Sequence, residues 1–220
     1  MELGVLAISN RDLELPSGKP LRYSIHVPHP PPSVARPAPM VLVLHYAGTP
    51  TPYYGESLLA ELVVPALGEL QAVMVAPETL GGDWTTECNV NAIKALLSHV
   101  RSSYVINESR TLLTGYSMGA IGVWHLLRVM PGAFKAALPV AGVPSAAADR
   151  ETPVLALHSR NDEVFQAEAL EKFIASQKRR GCRVDVRFIS GAGHYDVASF
   201  RPVLNQAIGW LQKAWNEEAP

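Results

Sequence analysis

The apolar positions of this chain follow two alternating patterns. Six short, nearly continuous apolar runs read as strands buried on both faces: "MVLVLHY" (40–46), "AVMVAPE" (72–78), "TLLTGY" (111–116), "AALPVAG" (136–142), "PVLALHS" (153–159) and "RVDVRFI" (183–189). Between them lie longer segments with helical spacing. These are "ESLLAELVVPALGEL" (56–70), "NVNAIKALLSHVRSSY" (89–104), the residues after Ser117, "EVFQAEALEKFIASQKRRG" (163–181) and "PVLNQAIGWLQKAW" (202–215). In the 163–181 segment Phe165, Ala169, Leu170, Phe173 and Ile174 mark one face, and Gly181 ends it. At the start, "GVLAIS" (4–9) and "LRYSIHVP" (21–28) flank the turn signal "PSGK" and predict an antiparallel hairpin. The proline-dense stretch 29–39 reads as a stiff loop. Strands alternating with helices predict a single α/β domain over residues 1–220, with a mostly parallel sheet of about eight strands covered on both faces.

Composition adds limits rather than detail. Hydrophobic residues make up 48% and charged residues 18%, with a formal net charge of −1, as in an ordinary globular protein. The densest basic cluster, Lys178-Arg179-Arg180, precedes Gly181, where cations suit the end of a helix, so no nucleic-acid partner is expected. Cys88 and Cys182 match no metal spacing; they are free thiols or one disulfide. No apolar run approaches the roughly 18 residues of a membrane span, and the N-terminus lacks a signal-peptide pattern. A soluble cytoplasmic protein is the expectation.

In a sheet of this kind, functional groups collect beyond the C-terminal ends of the strands. Here those positions carry His45-Tyr46-Ala47-Gly48, Gly115-Tyr116-Ser117, His158-Ser159-Arg160-Asn161-Asp162 and Gly191-Ala192-Gly193-His194. The pentapeptide Gly115-Tyr116-Ser117-Met118-Gly119 fits G-x-S-x-G, which alone is weak. A chain of this length meets it by chance roughly one time in fifteen at Gly and Ser usage of about 7% each. Its company gives it weight, because Ser117, Asp162 and His194 follow three separate strands in the order Ser, Asp, His. A serine hydroxyl needs a base to take its proton, and the pKa of histidine suits that task. The carboxylate fixes the imidazole tautomer. The N–H of Met118 is one expected oxyanion donor and that of Ala47 the other, with Tyr46 narrowing the site or adding a hydroxyl beside it. His45 and His158 are expected to pack or to hold loops; Glu163, Asp149 and Asp196 are the weaker candidates for the acid.

With these residues in place, the chain resembles the α/β-hydrolase superfamily along its whole length. It is most similar to the small capless carboxylesterases, including the group described as predicted peptidases or phospholipases. Their G-x-S-M-G-G-x-G-x-W run resembles "GYSMGAIGVW", Trp124 included; their H-G-x-x-D-x-x-V-P motif is echoed by "HSRNDEVF" and their G-x-x-H by "GAGH". Ala120, Ser159 and Phe165 depart from that pattern. The resemblance implies a serine esterase with Ser117, Asp162 and His194 as its triad and with no metal or organic cofactor. Dienelactone hydrolases are similar in fold but carry cysteine as nucleophile, so Ser117 is expected to set this chain apart from them.

Only about ten residues, "VPSAAADRET", separate the strand at 136–141 from the one beginning near Pro153, which leaves no room for a cap. An open groove lined by Tyr46, Tyr53, Trp84, Val143, Pro144 and Val164 is expected, suited to small esters with short acyl groups. An acyl-protein thioesterase, a lysophospholipase or a peptidase of the same fold is the alternative.

Overall fold

The computed structural model describes residues 7–144 and 149–217. Eight strands form one sheet: β1 (Ile8–Glu14), β2 (Pro20–His26), β3 (Ala38–Leu44), β4 (Val73–Pro77), β5 (Ile106–Tyr116), β6 (Ala136–Val140), β7 (Val154–Ser159) and β8 (Val184–Ile189). Their order is β1-β2-β4-β3-β5-β6-β7-β8. β2 runs antiparallel to both β1 and β4, and all the other pairs are parallel.

Side chains alternate across a strand, so each buried strand feeds two cores. In β3, Met40, Leu42 and Leu44 join one hydrophobic cluster while Val41 and Val43 join the other. The first cluster is covered by α3 (Glu87–Ser103), α4 (Met118–Val129) and α5 (Ala167–Arg179). Across the sheet lie α1 (Gly55–Leu58), a π turn at Leu59–Val63, and α2 (Val64–Leu67), with α6 (Arg201–Gln206) and α7 (Ile208–Asn216) beside them. This two-sided burial is why the strands read as unbroken apolar runs.

Two elements differ from the sequence expectation. The first strand lies further along the chain, at Ile8–Glu14, and is mostly exposed; residues 4–6 of "GVLAIS" fall outside the described residues. An edge strand needs few apolar residues, and its register is fixed by the turn, where the Gly18 N–H donates to the Leu15 carbonyl at 2.8 Å and Leu13 faces Leu21. The closing helix divides at Ala207, whose N–H is shared between the carbonyls of Val203 and Leu204. Cys88 and Cys182 are both free thiols, the first exposed and the second buried. No helix among the described residues is long and apolar enough to cross a membrane.

Candidate active site

β5 ends on Tyr116 and α4 begins at Met118, leaving Ser117 alone in the turn at φ 55° and ψ −115°. Its N–H donates to the Val140 carbonyl on β6 at 2.9 Å, and its own carbonyl accepts from Ile121 in the first turn of α4. The turn is tight because α4 packs directly on β3. A Cβ at Gly119 would lie 2.0 Å from the Leu44 carbonyl oxygen, so only glycine fits there. Glycine is likewise required at 142, where a Cβ would lie 2.8 Å from the Ser117 carbonyl oxygen.

The three residues expected from sequence to act together are in contact. The Ser117 hydroxyl donates to Nε2 of His194 at 2.9 Å, and Nδ1–H of His194 donates to Oδ2 of Asp162 at 2.8 Å. The His194 and Asp162 side chains are 6% and 0% exposed, so water does not compete for their hydrogen bond. The second carboxylate oxygen, Oδ1, accepts the N–H groups of Val164 at 2.9 Å and Phe165 at 2.7 Å. A carboxylate held at both oxygens leaves the imidazole one tautomer, with Nδ1 protonated and Nε2 free to take a proton.

The loop carrying His194 is held by side chains the sequence reading did not single out for this task. Asn161 accepts the Gly191 N–H at 2.7 Å, Ser159 donates to the Ala192 carbonyl at 2.5 Å, and Asp196 accepts the Gly193 N–H at 2.8 Å. Glu163 accepts the His194 N–H and the Tyr116 hydroxyl donates to the His194 carbonyl, both at 2.8 Å. Burial raises the Tyr116 pKa, with nearby Asp162, Asp196 and Glu163 adding to the effect, so this phenol stays a donor. Ser159 at the end of β7 and Asn161 and Glu163 just beyond it alternate along the stretch that also bears Asp162, a spacing that is visible in the sequence. The two weaker acid candidates near His194, Glu163 and Asp196, therefore bind backbone N–H groups.

The loop after β3 is set by His45. Its Nδ1–H donates to the Tyr46 carbonyl at 2.7 Å, while Nε2 accepts the Thr79 N–H at 3.2 Å. The peptide plane puts the Tyr46 carbonyl and the Ala47 N–H on opposite sides, so His45 also fixes the direction of that N–H. Burial lowers the His45 pKa to about 4, partly offset by its hydrogen bond to the Tyr46 carbonyl. Burial also lowers the His158 pKa, partly offset by its contact with the Phe165 carbonyl, to which Nε2–H donates at 2.8 Å; Nδ1 has no partner among the described residues.

Two of the expected wall residues lie elsewhere. Trp84 is 1% exposed: it packs on Gly122, and its indole N–H donates to the His45 carbonyl at 2.9 Å. It supports the floor of the site and does not line a groove. Tyr53 turns its hydroxyl to Asp12 on β1, four strands from β5, so it too leaves the neighbourhood of Ser117. Tyr54 is the aromatic that packs here, with its ring centroid 4.9 Å from His45 and 5.7 Å from Tyr46. Tyr46 is half-buried and its hydroxyl pairs with Ser57 on α1 at 3.0 Å. Val143 is half-buried, Pro144 buried and Val164 exposed. Residues 141–153 join β6 to β7; residues 145–148 of this connection lie outside the described residues. A recess of about 340 Å³ lies at the opposite end of the sheet, among Phe134, Lys135, Arg183 and Trp215, away from this chemistry.

The family model described as "Dienelactone hydrolase family" matches residues 63–214. This overturns the expectation that Ser117 would set the chain apart from dienelactone hydrolases: the match spans the Gly115–Gly119 turn with a serine in it. Among curated proteins, the chain is 24% identical over 163 residues to a bifunctional acetylxylan esterase/xylanase, XynS20E, of Neocallimastix patriciarum. That match takes in 70% of this chain and 23% of the relative, so the chain spans about a quarter of the relative's length. Among solved structures, it is similar to FphF of Staphylococcus aureus, a fluorophosphonate-binding serine hydrolase. That likeness has a TM-score of 0.75, 12% identity and coverage of 96% of this chain and 99% of the other. A serine hydrolase without a lid from Xanthomonas campestris has a TM-score of 0.69 and 17% identity, with 97% of both chains covered.

Proposed function

The chain belongs to the dienelactone hydrolase family, and we propose that it is a serine esterase with Ser117 as nucleophile, His194 as base and acid, and Asp162 as the orienting carboxylate. The observation that carries this reading is the continuous contact from Ser117 Oγ through His194 to Asp162, at 2.9 and 2.8 Å. His194 removes the Ser117 proton as the hydroxyl attacks the ester carbonyl carbon. The oxyanion is stabilised by the N–H of Met118, which opens α4 and has no acceptor within the helix, and by the N–H of Ala47. The tetrahedral adduct collapses as His194 gives its proton to the departing alcohol. Water then follows the same path: it loses a proton to His194, attacks the acyl-serine, and frees the acid and Ser117.

Short acyl groups fit best. Tyr46 and Tyr54 close over the β3 loop, and the large buried aromatic Trp84 fills the space beneath it, which leaves little apolar depth for a long chain. Val143 and Pro144 complete the surroundings of the acyl group.

Covalent labelling with a fluorophosphonate followed by peptide mapping tests the nucleophile. Labelling is expected at Ser117, and kcat for a short acyl ester is expected to fall at least about a thousandfold in Ser117→Ala while the fold is kept. Labelling at another residue, or near-normal hydrolysis by the variant, would refute the assignment. A kcat/KM preference for long-chain thioesters or peptides over acetyl and butyryl esters would favour the thioesterase, lysophospholipase or peptidase reading.

A further inference from the structure

Among the described residues, the large apolar side chains left exposed are Val34, Val105, Val129, Val164 and Tyr195. Two of these flank the histidine of the site. Tyr195 is 77% exposed, and its ring stands perpendicular to that of His194 with the centroids 5.3 Å apart. Val164 is 45% exposed and lies between Asp162 and Phe165, whose half-buried ring is 5.4 Å from His194 on another side. The rings of Tyr195 and Phe165 border the one group that must meet the leaving alcohol, and so offer that alcohol an aromatic face.

The direction of proton transfer says which part of the ester comes here. His194 receives the Ser117 proton and returns it to the departing oxygen, so the alcohol half lies against His194 while the acyl half lies toward Tyr46 and Met118. The polar side chains that hold the His194 loop then indicate what kind of alcohol fits. Glu163 and Asp196 each spend one carboxylate oxygen on a loop N–H, and each second oxygen has no protein partner among the described residues. Asn161 accepts through Oδ1, and its amide donors are likewise unengaged. The cation on this segment, Arg160, is committed to Glu171 at 2.9 Å and to the face of Phe188 at 4.0 Å. An anionic alcohol would meet two carboxylates and no available cation. A neutral ring rich in hydroxyls would stack a C–H face on Tyr195 and donate to Glu163 and Asp196.

Building on the serine-esterase reading above, we propose that Tyr195, with Phe165 and Val164, forms a leaving-group subsite for the ring of a sugar, so that the esters cleaved at Ser117 are O-acyl sugars.

The test compares kcat/KM for a methyl glycoside monoacetate, phenyl acetate and ethyl acetate in the wild type, Tyr195→Ala and Tyr195→Phe. The glycoside-to-ethyl acetate ratio is expected to fall about tenfold in Tyr195→Ala, mainly through KM. It should be kept in Tyr195→Phe, because the ring face and not the hydroxyl does the stacking. An unchanged ratio in Tyr195→Ala, or a fall confined to phenyl acetate relative to ethyl acetate, would overturn the sugar assignment while leaving the esterase reading intact. A wild type that hydrolyses none of the three, and is not labelled at Ser117, overturns both.

Discussion

Ser117 holds a positive φ that a residue with a Cβ adopts only at a cost of about 1–3 kcal/mol. The strain has a use, since it lifts the hydroxyl off the end of β5 toward Nε2 of His194. Removing the hydroxyl and removing the strain are therefore separable. Ser117→Gly is expected to be more stable than Ser117→Ala by about 1 kcal/mol in urea unfolding, with both inactive; equal stability would show that the turn is not strained. At this scale the sequence was informative where a residue lies within a few positions of its strand end, as Ser117, Asp162 and His194 do. It was uninformative about direction in longer loops. Tyr53 and Trp84 both follow strand ends, yet one reaches Asp12 at the sheet edge and the other sinks beneath His45. Where such a side chain turns depends on packing partners distant in sequence.

The segment after β7 and the loop after β8 act as a matched pair. Asp162 binds the His194 ring, while Ser159, Asn161 and Glu163 hold the backbone on which that ring is mounted. Losing one of these contacts shifts the imidazole without removing it. Ser159→Ala leaves the buried Ala192 carbonyl without its donor and is expected to lower kcat about tenfold with little change in KM, as steady-state kinetics would read. Ser159→Thr, which restores a hydroxyl, should recover part of the loss; equal effects on kcat and KM would point to a general loss of structure. The strands and helices themselves were legible from periodicity, because each central strand is buried on both faces. The first strand was misplaced because its sequence, "ISNRDLE", carries little apolar signal and gains its partner from the turn at Gly18.

For the whole molecule, two buried histidines with lowered pKa values tie stability to pH. His45 has a folded pKa of about 4 against an ordinary 6.5, so the unfolded chain binds its proton first as the pH falls. Stability is full above about pH 6.5 and declines down to about pH 4, by on the order of 3 kcal/mol from His45. His158 contributes in the same direction, since protonating it would bury a second N–H with no acceptor. Urea midpoints measured between pH 7.5 and 4 should fall for the wild type and fall less steeply for His45→Gln. Parallel curves would show that His45 already carries its proton in the folded state.

The contact between Gly119 and the Leu44 carbonyl has a consequence for which changes the enzyme can survive. The two proposed oxyanion donors belong to the two elements that meet there: Met118 precedes Gly119 on α4, and Ala47 follows Leu44 beyond β3. A methyl group at position 119 would act as a wedge, and α4 could slide outward and still cover the sheet. The two amides, however, would no longer span one oxygen atom, whose tolerance is a few tenths of an ångström. Gly119→Ala is thus expected to lose catalysis well before it loses the fold, because the side chain missing there governs reach rather than folding.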